Sequence, residues 1–150
     1  MPQIRVLFVE DEEIIRQIVA ETLIEAGFEV TEACNGEAAL GLLQERHGFD
    51  LLLTDVHMPG RLNGVDVARH MRSLWPEIPV VFVTGRPDTL HAFGSPGPRD
   101  RCVLKPYRPT DALAAIRSSL AQEHHRGTAM PVFPCYGSLP DDTFIDRTPD

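Results

Sequence analysis

Short apolar runs alternate along this chain with segments whose apolar residues recur every three or four positions. Residues 4–9 form a β-rich apolar run that stops at Glu10, Asp11, Glu12 and Glu13. Ile14, Ile15, Ile18, Val19, Thr22, Leu23 and Ala26 then repeat at helical spacing up to Gly27, which predicts a strand, an acidic turn, a helix and a glycine stop. Residues 28–32 predict a second strand. Residues 35–46 predict a second helix through Ala38, Ala39, Leu42 and Leu43, with Asn35 as its N-cap. Leu51, Leu52 and Leu53 run on without alternation, the pattern of a strand covered on both faces. After a turn-rich loop with Pro59, Gly60, Asn63 and Gly64, a third helix carries Val65, Val67, Ala68, Met71 and Leu74 as far as Trp75 and Pro76. Residues 78–83 predict a fourth strand, Val103 and Leu104 a short fifth, and residues 110–121 a last amphipathic helix. Buried strands alternating with helices predict an α/β fold, a doubly wound five-stranded parallel sheet with helices on both faces and right-handed crossovers.

Two stretches break the rhythm. Residues 86–101, where a fourth crossover helix would fall, hold Pro87, Gly94, Pro96, Gly97 and Pro98, which limits any helix there to its first two turns. Residues 123–150 lose periodicity and are punctuated by Pro131, Pro134, Pro140 and Pro149. The expected division is a domain over residues 1–122 and an acidic, proline-rich tail over 123–150, mostly disordered or loosely docked through Phe133, Tyr136, Phe144 or Ile145.

With 150 residues and 43% hydrophobic content, the chain is long enough for one domain around a single core. Its formal charge of -8 argues against sequence-independent binding to nucleic acid or to an anionic membrane, both of which need clustered Lys and Arg. No apolar stretch approaches a membrane span and the N-terminus lacks a signal-peptide profile, so a cytoplasmic protein is expected. Cys34, Cys102 and Cys135 are scattered, odd in number and without a CxxC pair. They read as buried or incidental thiols rather than a disulfide framework or a zinc site. The histidine pair His124 and His125 has no further ligands at metal spacing and reads as surface.

All but one of the 14 Lys and Arg residues are arginine. The exception, Lys105, closes the fifth apolar run directly before Pro106. A compact ammonium on a flexible stem suits a site that holds one small anion at a point, which a planar guanidinium fork does not. Parallel α/β sheets bind ligands beyond the carboxyl ends of their strands. Those ends carry Glu10 and Asp11 after strand one, Asp55 after strand three, Thr84 after strand four and Lys105 after strand five. Each alone has an ordinary explanation, as a helix cap or a turn residue. Together, three carboxylates at one edge repel one another and call for a cation. Oxygen-only ligation with room for water and phosphate suits Mg2+. A divalent metal beside a Lys/Thr pair points to phosphoryl chemistry, with the Asp55 carboxylate as nucleophile for an aspartyl-phosphate.

Val9-Glu10-Asp11, the segment from Asp55 through Val56, His57, Met58 and Pro59 to Gly60, Val83-Thr84-Gly85, and Leu104-Lys105-Pro106-Tyr107 occur as a set, in order, on these elements. In this the chain resembles the response-regulator receiver domains of two-component signalling, a CheY-like fold, over roughly residues 3–122. The resemblance implies the flavodoxin-like strand order 2-1-3-4-5. It implies Asp55 as phosphoacceptor, Asp11 and Asp55 as direct Mg2+ ligands, Glu10 as a ligand through water, and the His57 backbone carbonyl as a further ligand. Thr84 and Lys105 would each meet a phosphoryl oxygen, and the bond before Pro106 would be cis. It also implies a partner, a sensor histidine kinase or a histidine phosphotransfer protein, that supplies the phosphoryl group, and an unknown downstream protein that reads it. The chain resembles the stand-alone receivers, and the resemblance implies a protein that accepts phosphate rather than a turnover enzyme.

It departs from the family pattern at Cys102, three residues before the lysine, where receivers usually place a switch tyrosine or phenylalanine. The loop from Asp55 to Gly64 is one residue longer than the commonest pattern, and the fourth helix is weak. His57 and Arg86 lie two residues beyond Asp55 and Thr84, positions that in receivers flank the phosphoryl group. The second reading is a receiver-fold interaction module that works without phosphorylation. An aspartyl-phosphate hydrolase fits less well, because His57 stands where such enzymes place a second Asp. A flavin binder fits least, because Glu10 to Glu13 would repel the phosphate its first loop must cradle.

Overall fold

The computed structural model describes residues 3–45, 48–94, 96–121 and 135–136. Elements follow in the order β1 (Arg5–Val9), α1 (Glu13–Glu25), β2 (Glu29–Ala33), α2 (Gly36–Glu45), β3 (Leu51–Asp55), α3 (Gly64–Leu74), β4 (Val80–Thr84), a 3-10 helix (Pro87–Phe93), β5 (Arg101–Leu104), α4 (Pro109–Ala121) and β6 (Cys135–Tyr136). All neighbouring strands pair in parallel. The sheet order is β2-β1-β3-β4-β5-β6, the expected arrangement extended by one strand.

The central strands β3 and β4 are buried at all five of their positions, which is why their sequences run apolar without alternation. Their side chains divide two cores. Leu52, Val80 and Phe82 join Ala39, Leu43, Val67 and Met71 beneath α2 and α3. Leu51, Leu53, Val81 and Val83 join Val19, Leu23, Ala115 and Ile116 beneath α1 and α4.

Asn35 begins α2 as anticipated, its Oδ1 accepting from the Ala38 amide at 2.7 Å. Asn63 and Asp66 form a capping box at the start of α3, each side chain accepting from the other's amide at 2.9 Å. Asp11 caps nothing. The N-cap position of α1 is Glu12, which makes no side-chain cap bond. The carboxylate of Asp11 is therefore not committed to helix termination.

Residues 87–93 form only a 3-10 helix before Gly94, at φ 101°, turns the chain, as the proline and glycine content requires. Phe93 packs edge-on against Phe82, with ring centroids 5.1 Å apart. The return to β5 is fixed at the opposite end of the sheet from the predicted site by Asp100, which is 1% exposed. Its carboxylate accepts from Arg72 at 2.8 and 3.2 Å, from the Val80 amide at 3.0 Å and from the Gly97 amide at 2.7 Å. An apolar pattern does not reveal this anchor, because Val80 and Arg72 lie 20 and 28 residues away in sequence.

Two features go beyond the pattern legible in the sequence. The apolar repeat in α1 is wider than the buried stripe: Val19, Ala20 and Leu23 are buried, whereas Ile14 and Ile18 are 71% and 48% exposed. The sheet also gains a sixth strand from the tail. Cys135 and Tyr136 pair in parallel with Cys102 and Val103, and the Tyr136 hydroxyl donates to Ser118 Oγ on α4 at 2.7 Å. Tyr136, one of the four residues expected to dock the tail, thus anchors the two-residue strand β6. Phe133, Phe144, Ile145, His124, His125 and the rest of the predicted tail lie outside the described residues.

Candidate functional site

The carboxyl ends of β1, β3, β4 and β5 meet at one edge because of their register. Val9 stands opposite Thr54, Asp55 opposite Val83, and Thr84 opposite Leu104. The residues that follow or end these strands, Glu10, Asp11, Asp55, Thr84 and Lys105, therefore converge as anticipated. One carboxylate oxygen from each of Glu10, Asp11 and Asp55 lies within 4.8 Å of the others. Lys105 Nζ donates to Asp55 Oδ2 at 2.7 Å, and the His57 amide donates to Asp55 Oδ1 at 3.3 Å.

Local backbone chemistry holds Asp55 in place. The Val56 amide donates to the Val83 carbonyl at 3.0 Å and the Gly64 amide to the Val56 carbonyl at 2.9 Å. The start of α3 comes so close that a Cβ on Gly64 would overlap the Asp55 carbonyl. Only glycine permits that approach. The Lys105–Pro106 peptide is cis, as the resemblance implies, and the Lys105 amide donates to the Thr84 carbonyl at 3.0 Å.

Glu10 and Asp55 are each 1% exposed. Burial pushes the Glu10 carboxyl up to about 7, against the lowering effect of a hydrogen bond from the Glu12 amide and with reinforcement from the Asp55 charge. Burial likewise raises Asp55, and this outweighs the hydrogen bonds from Lys105 and the His57 amide. For Lys105, burial works against the ammonium, but the Asp55 carboxylate wins and holds the amine above its ordinary value. A single ammonium thus leaves the site with surplus negative charge. The buried carboxylates fit a hard divalent cation such as Mg2+, which takes oxygen ligands and keeps part of its water.

Thr84 is fully buried, and its Oγ1 accepts from the Arg86 amide at 2.9 Å, leaving its own proton for a further acceptor. Arg86 and His57 meet through Thr89, whose hydroxyl donates to the Arg86 carbonyl at 2.7 Å and lies 3.4 Å from His57 Nε2. Tyr107 enters the sequence pattern only as the end of the Leu104-Lys105-Pro106-Tyr107 motif, yet its hydroxyl is buried without a hydrogen-bond partner among the described residues. Burial and then the charges of Glu10 and Asp55 raise it well above the usual phenol range. The sequence signal was its place two residues after Lys105.

Cys102 is fully buried on β5 beside Leu104, in the core that includes Phe82 and Leu90. Position 102 therefore carries a thiol in place of an aromatic ring that could swing. Cys34 is exposed, as is Cys135, so burial accounts for only one of the three thiols.

Residues 6–117 match the family model of the response regulator receiver domain. The chain is 36% identical to the response regulator receiver protein CpdR of Brucella abortus over 117 residues, 77% of this chain and 96% of that protein. It spans about half the length of other curated relatives, such as the sensory transduction protein RegX3 of Mycobacterium tuberculosis, with 37% identity over 116 residues, 77% of this chain and 50% of that one. Among solved structures, the chemotaxis response regulator CheY4 of Vibrio cholerae aligns with a TM-score of 0.67 and 30% identity, covering 79% of this chain and 99% of that chain. With the sheet order, the convergent carboxylates and the lysine contact already in place, these likenesses show that the chain belongs to the response regulator receiver family.

Proposed function

We propose that this receiver domain takes a phosphoryl group onto Asp55 from a phosphohistidine of a sensor kinase or phosphotransfer protein. The contact of Lys105 Nζ with Asp55 Oδ2 at 2.7 Å carries the reading. It places the chain's one lysine on the carboxylate that must act as nucleophile, inside a cluster of acids. An Asp55 oxygen forms the new O–P bond as the N–P bond of the donor histidine breaks, and the imidazole leaves with the electron pair. Lys105, already paired with Asp55, is placed to transfer its hydrogen bond to an oxygen of the incoming group. The Thr84 hydroxyl, held by the Arg86 amide, has a proton to donate to another. Glu10, Asp11, Asp55 and the His57 carbonyl are the residues that would hold Mg2+. When bound, the ion would supply positive charge to offset that of the transferring group.

The partner surface is supported by α1. Ile14 and Ile18, one helical turn apart, are 71% and 48% exposed just beyond Asp11. Such an apolar pair beside a charged site suits docking of a helical histidine donor. The domain then works as a cytoplasmic response regulator receiver, signalling through protein contact or onward phosphotransfer.

Incubation with acetyl phosphate in Mg2+ tests this. The wild-type chain should gain one base-labile phosphate and Asp55→Asn none. Persistent stoichiometric labelling of Asp55→Asn would refute the assignment. Full signalling without any adduct would favour the phosphorylation-independent module, for which Cys102 in place of the family's aromatic is the observation in favour.

A further inference from the structure

Strands β5 and β6 run parallel in a register that sets Cys102 opposite Cys135 and Val103 opposite Tyr136. Directly opposed residues project to the same face of a sheet, and neighbouring strands lie about 4.8 Å apart. That separation falls within the span of about 4.4–6.8 Å between Cα atoms that a disulfide requires. Both residues are thiols, and their side chains meet as hydrogen-bond partners. Cys102 is fully buried, whereas Cys135 is exposed on the outermost strand. The strand is held independently by the hydrogen bond from Tyr136 to Ser118 on α4, so the pairing does not depend on the thiols alone.

We propose that Cys102 and Cys135 form a reversible, peroxide-driven disulfide that staples the C-terminal segment to the edge strand of the receiver sheet. The pair is a modification site separate from Asp55. The hydrogen bond from Cys102 stabilises the Cys135 thiolate and lowers its pKa, whereas the same contact and then burial raise that of Cys102. The exposed residue is therefore the one that meets the oxidant. Its thiolate attacks one oxygen of hydrogen peroxide, breaking the O–O bond and forming a sulfenic acid, with water as the other product once hydroxide takes a proton. The Cys102 sulfur then attacks the Cys135 sulfur. The S–O bond breaks, and hydroxide leaves with the Cys102 proton as a second water. In sum, two thiols lose two electrons to one peroxide, and a thiol reductant reverses the change. The bond would form three residues before Lys105, on the strand that delivers the ammonium to Asp55.

The test uses the full chain, reduced, freed of reductant and exposed to stoichiometric hydrogen peroxide. The monomer should lose about 2 Da, regain it with dithiothreitol, and yield a linked Cys102–Cys135 peptide on non-reducing mapping. Cys34→Ser and Asp55→Asn should both retain the link, the latter showing that the staple does not depend on the phosphoacceptor reading. Cys135→Ser, a surface change that leaves the core intact, should lose the link. In the wild type but not in Cys135→Ser, oxidation should slow amide exchange at Tyr136. Retention of all three thiols, over-oxidation of Cys135 without a link, or cross-links made only through Cys34 between molecules would each overturn the proposal.

Discussion

Lys105 Nζ lies 2.7 Å from Oδ2 of Asp55, a contact that joins residues 50 positions apart and closes the carboxyl edge of the sheet. The ammonium sits where a guanidinium would have to spread its fork across several acceptors. Lys105→Arg keeps the charge but changes its shape and reach. It should lower the rate of Asp55 phosphorylation by about tenfold, equivalent to ~1.4 kcal/mol of lost stabilisation, while thermal stability stays close to wild type. Stopped-flow measurement with a small phosphodonor reads the rate, and unchanged kinetics would remove the special role given to the lone lysine.

Glu10 sets the pH dependence of the metal-free domain. Its folded pKa is raised from 4.5 to about 7, so between those values the folded state binds more protons than the unfolded chain. Stability is therefore fully present below about pH 4.5 on this account, and is lost as pH rises through about 7. The loss should reach about 3 kcal/mol by pH 8, and Asp55 is shifted in the same direction. Urea unfolding in chelator at pH 5 and pH 8 measures it. Added Mg2+ should recover stability most strongly at the higher pH.

Ile14 and Ile18 separate docking from chemistry. Because both are exposed, Ile14→Asp should change folding stability by less than about 0.5 kcal/mol. It should slow phosphotransfer from a phosphohistidine protein by about tenfold, with acetyl phosphate labelling unchanged. Parallel kinetics with the two donors check the split.

Asp100 predicts the opposite separation. Asp100→Ala leaves Arg72 and the amides of Val80 and Gly97 without their acceptor. The loss should be about 3 kcal/mol of stability, seen by denaturant unfolding. The phosphoacceptor lies at the other end of the sheet, so the fraction that remains folded should still be labelled on Asp55.

The site was legible in the sequence because strand ends in a parallel sheet converge by topology. Once Leu51 to Leu53 and the run through Val83 read as buried strands, Asp55 and Thr84 had to share an edge with Glu10 and Lys105. The 3-10 segment was legible from Pro87, Gly94 and Pro96. Pairwise geometry was not. Asp100 serves an amide and a guanidinium distant in sequence, and Cys135 meets Cys102 only through a two-residue strand with no apolar period. The exposure of Ile14 was hidden because one stretch of helix carried more apolar positions than its buried face could take.

Metal-assisted phosphorylation of Asp55 is read by intact mass with a small phosphodonor, in Mg2+ and in chelator. One acid-stable, base-labile phosphate per wild-type chain is expected in Mg2+, mapped to Asp55, with no adduct in chelator or on Asp55→Asn. An unmodified wild-type chain that also fails to bind Mg2+, or an equal adduct on Asp55→Asn, would contradict it.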